Sequence, residues 1–362
     1  MKKIKILKIF IVVFIIIVTI LSIVKIVLID SNRREKLLVD YSDVIAVGTF
    51  VEGENRTLIG TAPTFKNPII PVGFKAVNDG ASWEISEDYI IGWNDGLVIE
   101  DEKGSQFVWV PVDGVNVKYK KWCFDSLHYG PTYYETPGED TSSGIDEMHQ
   151  IEKYQGFWIA RYEAGRSDID YATPETNDVS TGVELLIKKG AQVWNYISYV
   201  NAKSLAEGYV NNEHVKSSLL TGKQWDTTMR WIGNSGYNIT KDSIDWGFHY
   251  NTELTGYGRY TYDSNYIGQN WQVGEYCEDG ERVFFIGTGC YEVSQAKNIY
   301  DLAGGVREWT TEEYRDERVY FHVSRGGSAH SYSYELPASY RSCNKETYTT
   351  SLLGFRVALY VE

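Results

Sequence analysis

Apolar positions follow different patterns in different parts of the chain. From Ile9 to Ile29 they are nearly continuous, broken only by Thr19, Ser22 and Lys25. A helix of roughly 20 apolar residues spans the hydrocarbon core of a bilayer, so residues 9–29 are expected to form a transmembrane helix. Lys2, Lys3, Lys5 and Lys8 precede the run. By the positive-inside rule, residues 1–8 are a cytoplasmic tail and everything after the span lies outside. Ile26-Val-Leu-Ile-Asp30 offers no small-x-small cleavage site, so the segment is read as an uncleaved signal anchor with Lys25 snorkelling to the far interface. Residues 30–65 are polar and mixed and read as a juxtamembrane stalk, with a short strand at Val44-Ile-Ala-Val47.

Beyond the stalk, short apolar runs separated by turn residues replace the continuous one. Tyr89–Trp93 and Gly96–Glu100 are two such runs, and Asp101-Glu-Lys-Gly104 is a turn cluster before Phe107–Val112, which predicts a hairpin. Residues 66–154 are therefore expected to be a β-rich N-terminal extension of a globular domain at 155–362. Thr136–Ser143 and Arg166–Thr181 read as loops, and Gly156–Ala164 alternates like a strand. Helical spacing is legible twice. Ser198–Glu207 carries Val200, Ala202, Leu205 and Ala206 and stops at Gly208. The other helix opens with a capping box, Thr221 and Gln224, and repeats Trp225, Met229 and Ile232 on one face. Asp279-Gly280 signals a further hairpin.

Charge narrows the partners. Residues 1–36 hold eight basic against two acidic residues, and the rest of the chain holds 27 against 47, a net of -20. A surface this acidic repels phosphate backbones, so nucleic acid is not an expected partner. With 28 Tyr and 11 Trp, the composition suits either an aromatic-rich β core or a surface built for contact. Cys123, Cys277, Cys290 and Cys343 show no metal-ligand spacing. They fit disulfides in an exported chain, with Cys277 and Cys290 the nearest pair, equally with four buried thiols. Walker A, dinucleotide-binding and G-x-S-x-G patterns are missing from the sequence.

Three ordered segments carry a resemblance: Asn298-Ile-Tyr-Asp-Leu-Ala-Gly-Gly-Val-Arg-Glu-Trp-Thr310, Arg325-Gly-Gly-Ser328 and Gly354-Phe-Arg356. Together they resemble the signature of the formylglycine-generating enzyme (sulfatase-modifying factor) family. Phe157–Glu163 and Leu220–Asp226 are similar to two further family blocks. The resemblance implies an α+β fold of the C-type-lectin-like kind, with small antiparallel sheets and little regular structure. It also implies calcium bound at Asp301, the carbonyls of Gly304 and Val306, and Glu308, with hard oxygen donors of the type Ca²⁺ takes. Oxidase members of the family carry a cysteine pair whose positions fall here near Ser331 and Leu336. No thiol lies between Ser328 and Ser342, and copper(I) chemistry of that kind needs sulfur.

The stretch from Ser328 to Ser351 is rich in Tyr, Ser and Thr, the composition of surfaces that bind through rigid aromatic area and adaptable hydrogen bonds. His330, Tyr332, Tyr334, Tyr340, Asn344 and Tyr348 are its candidate ligand-binding residues. The expected protein is thus a single-pass membrane protein with an extracytoplasmic domain that recognises a glycan or protein at the cell surface without catalysis. The alternatives are an oxidase or other enzyme of the family with a divergent site, and a structural envelope component.

Overall fold

The computed structural model describes residues 55, 57, 63–77, 84–85, 90–91, 95–122, 124, 139–140, 147–166, 182–252, 277–279, 282–284, 287–316 and 319–362. All of them belong to the second of two compact units, Gly48–Glu362. The expected span at 9–29 and the strand at 44–47 lie outside the described residues. Among the described residues no helix is long and apolar enough to cross a membrane.

In chain order the main elements are strands β1 (Phe74–Val77), β2 (Val98–Asp101) and β3 (Gln106–Pro111), helix α1 (Glu147–Tyr154), strand β4 (Gly156–Ala160), helix α2 (Tyr199–Gly208), strand β5 (Val215–Leu219) and helix α3 (Gly222–Gly233). Strands β6 (Arg307–Asp316), β7 (Val319–Arg325), β8 (Arg341–Asn344), β9 (Leu353–Phe355) and β10 (Val357–Val361) complete the set. A six-stranded sheet runs β1-β2-β3-β4-β10-β5, with every neighbouring pair antiparallel. A second sheet runs β8-β7-β6-β9, in which only the β6–β9 pair is parallel.

The expected hairpin is β2–β3. Its turn closes because Asp101 Oδ1 accepts from the N–H groups of Lys103 (2.9 Å) and Ser105 (2.8 Å). Gly104 adopts the positive φ (82°) that an L side chain resists. Trp109 on β3 and Trp158 on β4 pack with ring centroids 5.1 Å apart. Their indole N–H groups donate to the carbonyls of Phe65 (3.0 Å) and Ile69 (2.9 Å), so the chain before β1 is tied to the sheet. Helix α3 begins at the predicted capping box: Gln224 N–H donates to Thr221 Oγ1 (3.1 Å) and Thr221 N–H to Gln224 Oε1 (3.0 Å). Trp225, Met229 and Ile232 are fully buried from its inner face.

The structure departs from the sequence reading in three places. Helix α1 carries too few apolar residues to show helical periodicity. Its inner face is mixed: Ile151 and Tyr154 are buried in the core, while Gln150 donates to the Gly156 carbonyl and accepts from Val361 N–H, and Tyr119 Oη donates to Glu147. On α2 the inner face is Tyr199, Ala202, Leu205 and Ala206, while Val200 points outward. Within the expected loop 136–143, Glu139–Asp140 forms a short strand beside Glu312–Glu313 of β6.

Candidate functional site

The three segments that carried the family resemblance meet in the second sheet. On β6, Glu308 stands opposite Arg325 of β7 on one side and Gly354 of β9 on the other. Close backbone approach explains the glycines between them. Gly304 (φ 87°) donates to the Gly326 carbonyl (2.8 Å), and a Cβ at Gly304 would overlap the Phe248 carbonyl. The fully buried Arg356 grips Glu308 with Nε (2.9 Å to Oε2) and Nη2 (2.7 Å to Oε1). Its remaining N–H groups reach the carbonyls of Ala160 (3.0 Å) and Tyr300 (2.8 Å), joining the two sheets.

Two more buried carboxyls lie within electrostatic reach of this pair. Asp301 Oδ1 accepts from Ser294 Oγ (2.5 Å), and its Oδ2 accepts from Gly289 N–H (2.7 Å) and Thr288 Oγ1 (3.2 Å). Glu163 Oε1 accepts from Val306 N–H (2.8 Å). Burial pushes all three acids above the usual carboxylate range. Arg356 opposes this at Glu308 and hydrogen-bond donors oppose it at Asp301, whereas Glu163 is raised further by the charges of Asp301 and Glu308. The expected calcium donors therefore have protein partners on all four carboxylate oxygens of Asp301 and Glu308. Among the described residues no group of three or more acidic, His or Cys side chains is arranged to hold a metal ion. As folded, Glu308 ties the two sheets together through Arg356, and Asp301 fastens the loop at 288–294.

A second buried charge cluster surrounds Asp226 of α3. Arg325 Nη2 donates to Asp226 Oδ1 (2.5 Å), Arg341 Nη2 pairs with Oδ2, and Trp122 N–H donates to the same oxygen (3.0 Å). Glu312 of β6 takes Arg325, Arg341 and Lys121 at 3.4–3.5 Å. The arginine of the Arg-Gly-Gly-Ser segment is thus committed to packing α3 on the second sheet.

Past that arginine the chain reaches the two cysteine positions of the oxidases. Ser331 is buried, and its hydroxyl lies 2.8 Å from that of Ser328. Leu336 N–H donates to the Tyr332 carbonyl, while the Leu336 carbonyl faces Gly327, where a Cβ could not fit. A hydroxyl and an isobutyl group offer copper(I) no soft donor, so the residues present do not fit that metal. Cys343, on β8, has its thiol pushed up to about 12 by burial and by Glu312, which keeps it protonated. His249 is buried beside the backbone of Ser328 and Ser331 and holds a neutral ring. Burial lowers its pKa to about 4, and neither ring nitrogen completes a well-formed hydrogen bond.

Above these groups is an exposed aromatic patch. Residues 331–334 alternate, with serines 331 and 333 buried and Tyr332 and Tyr334 outward. The two tyrosine rings stack at 5.3 Å, and Tyr250 meets Tyr332 edge-on at 5.2 Å. Asn251 fixes the arrangement through reciprocal bonds. Its Oδ1 accepts from Ser333 N–H (2.9 Å), its Nδ2 donates to Ser333 Oγ (3.0 Å), and Tyr250 N–H donates to the Ser331 carbonyl (3.0 Å). Of the candidate ligand residues, Tyr332 and Tyr334 form this patch and His330 is half-buried on the same turn. Tyr340 is half-buried after Pro337, and Asn344 lies on β8 with its amide on Ser324 Oγ (3.3 Å). Tyr348 is exposed in the turn that caps α2, where Glu346 accepts from Tyr199 N–H. Tyr250 and Asn251 went unrecognised because they lie 82 residues from Ser333 in a stretch with no motif. The alternation of Ser and Tyr was the legible signal.

A cleft of about 920 Å³ lies between β1, β2 and the end of α2. Within it Lys75 pairs with Glu100 (3.6 Å) and Lys103 with Glu184 (2.7 Å), and Tyr209 donates to Asp101 (2.6 Å).

Residues 126–361 match the family profile described as the Sulfatase-modifying factor enzyme 1-like domain. No curated protein matches the chain. Among solved structures it is similar to CarF (14% identity, 62% of this chain and 97% of that one, TM-score 0.32). It is also similar to PvdO from Pseudomonas aeruginosa (13% identity, 73% and 98%, TM-score 0.36). A third is Treponema denticola variable protein 1 (14% identity, 61% and 98%, TM-score 0.28). The profile match covers most of the chain and includes all three segments that meet around Arg356, so this chain belongs to the sulfatase-modifying factor enzyme 1-like family.

Proposed function

We propose that this chain is a recognition member of its family: a domain held outside the cytoplasm by the apolar run at 9–29, binding a glycan or protein ligand without chemistry. The observation that carries the reading is the Tyr250–Tyr332–Tyr334 patch. Two of its rings, Tyr332 and Tyr334, lie on the segment that bears the cysteine pair in oxidase relatives, and here that segment offers rigid aromatic area in place of thiols. Tyrosine supplies large amphipathic contact area with few torsions to freeze, so three clamped rings favour binding.

The test is an array of glycans and extracellular proteins probed with the full-length chain and with Tyr250→Ala, Tyr332→Ala and Tyr334→Ala. Each variant is expected to weaken binding about tenfold or more, as hot-spot aromatics do, while melting within about 2 °C of the parent because exposed side chains add little to the core. Binding that survives all three replacements places the ligand elsewhere. Conversion of a Cys-x-Pro-x-Arg peptide to the aldehyde with copper(I) and oxygen, lost on Cys343→Ser, would establish the enzymatic reading instead. The anchor has its own test: protease added to intact cells should degrade the chain from Ser31 onward, and full protection would rule the topology out.

A further inference from the structure

The geometry points to an anion-binding surface on this chain, where Lys118, Lys120 and Arg230, gathered at Trp122, take the phosphomonoester group of a small soluble molecule. This inference is independent of the tyrosine patch and of the recognition reading above.

Unpaired cations are the first observation. The stretch after β3 alternates: Val117 is buried and Tyr119 turns its hydroxyl to Glu147 (2.7 Å), whereas Lys118 and Lys120 are exposed. Arg230 is exposed near the end of α3. Trp122 draws two of these charges together, with Lys120 Nζ 4.0 Å and the Arg230 guanidinium carbon 4.9 Å from its ring centroid. In a chain with 49 acidic against 35 basic residues a carboxylate is the expected neighbour, yet among the described residues none pairs with Lys118, Lys120 or Arg230. Asp113, the acid of the same stretch, instead accepts from the N–H groups of Val115, Asn116 and Val117.

The second is preorganisation. The backbone of this stretch is fastened along α3: Asn234 donates to the Asn116 carbonyl (3.0 Å), and Thr227 Oγ1 to that of Lys118 (3.5 Å). Trp122 is held at both ends of its peptide unit, its N–H on Asp226 (3.0 Å) and its carbonyl on Arg341 (2.8 Å). The cations therefore project from a fixed support, and little backbone order is lost when a ligand arrives.

Charge and donor geometry select the class. A phosphomonoester carries a charge of about -2 and three strong acceptor oxygens. An arginine fork and two lysine ammonium groups match that set, whereas a carboxylate or a sulfate ester brings only one negative charge. The buried cluster behind Trp122 adds no repulsion, because Lys121, Arg325 and Arg341 outnumber Asp226 and Glu312 there. A net charge of -14 repels an extended polyanion or an anionic bilayer, which favours a compact group on a small molecule.

Amine-labelling footprints of the full-length chain in phosphatidylcholine nanodiscs provide the test, with glucose 6-phosphate as the probe and glucose and glucose 6-sulfate as controls. Near saturation the phosphate should slow labelling of Lys118 and Lys120 about tenfold, as mass action on an occupied site requires. Lys75, in the cleft beside β1, should label as before, and glucose should protect nothing. Raising the salt from about 0.05 M to about 0.5 M should weaken the protection, because it shortens the reach of surface charge. Arg230→Gln should weaken the probe's Kd about tenfold through loss of a charge-assisted bond. The melt should hold, since Arg230 is exposed. Equal protection by glucose 6-sulfate overturns the phosphate class. Protection that appears without sugar once phosphatidylglycerol is added to the disc makes a lipid headgroup the source and overturns the soluble ligand. Labelling that the phosphate does not change, or protection that Arg230→Gln leaves intact, removes the site.

Discussion

Glu308 and Glu163 lie in the same buried cluster, yet they call for opposite treatment. Glu308 neutralises Arg356 through two short bonds. Glu308→Ala would strand a buried cation, and loss of one partner from such a pair costs about 3–5 kcal/mol. The urea midpoint should fall accordingly, and an unchanged midpoint would mean that Arg356 is paired elsewhere. Glu163 has no cation of its own, and its carboxyl is held well above the usual range by burial and by two neighbouring acids. A raised folded-state pKa means that its contribution is full below the unfolded value of about 4.3 and is lost as pH rises above it. Glu163→Gln keeps an acceptor for Val306 N–H and removes the titration. The variant should therefore melt at least as high as the parent at pH 7, with its relative advantage shrinking toward pH 4. Because protein donors already fill the carboxylates of Asp301 and Glu308, a chelator should leave the melting temperature unmoved. A chelator-dependent fall that Asp301→Ala abolishes would establish calcium at these positions.

Among the elements, α3 shows how far local rules reach. Its capping box and its buried Trp225, Met229 and Ile232 follow from spacing alone, because both reciprocal bonds lie within four residues. Thr221→Ala should lower stability by about 1 kcal/mol, read as a shifted urea midpoint; a neutral result would mean that tertiary contacts alone set the helix start. Helix α1 illustrates the limit. Its buried face includes Glu147 and Gln150, whose partners are a tyrosine 28 residues before it and a backbone N–H 211 residues after it. Nothing in Glu147–Tyr154 announces those partners, so the segment was included in the expected β-rich extension at 66–154. Strand β6 is also tertiary in origin. Its sequence is charged and irregular, with a register shift between Trp309 and Glu313. It holds because Arg356 pairs Glu308, and Arg325, Arg341 and Lys121 pair Glu312.

At the scale of the whole molecule, the buried neutral His249 links acid stability to the turn beneath the tyrosine patch. Its pKa is lowered to about 4, chiefly by burial, against about 6.5 unfolded. The unfolded chain therefore binds the proton more readily. The contribution is complete above about pH 6.5, declines as pH falls and levels off near 4, for a total of roughly 3 kcal/mol. The raised carboxyls push the other way at the lower end of that window, so the clearest readout is the residue itself. The His249 ring resonances should stay those of a neutral imidazole at pH 5.5, and a midpoint above 6 would show that the ring is not buried as described.

The sequence by itself determined the apolar run at the N-terminus, the β2–β3 hairpin, the two helices with clear apolar spacing, and the family. Each rests on residues near one another in the chain or on an ordered set of short motifs. It also showed that the oxidase thiol pair is missing, since that requires only reading which side chains occupy a short segment. The tertiary structure alone decided what those motifs do. Asp301 and Glu308 read as cation ligands from their spacing, and only the fold brings Ser294 and Gly289 to Asp301 and, 48 residues downstream, Arg356 to Glu308. The tyrosine patch likewise needed Tyr250 and Asn251 brought against Ser331 and Ser333 across 82 residues. Periodicity registers how one segment meets water, whereas a buried charge pair or a shared ring face depends on which distant segment folds against it.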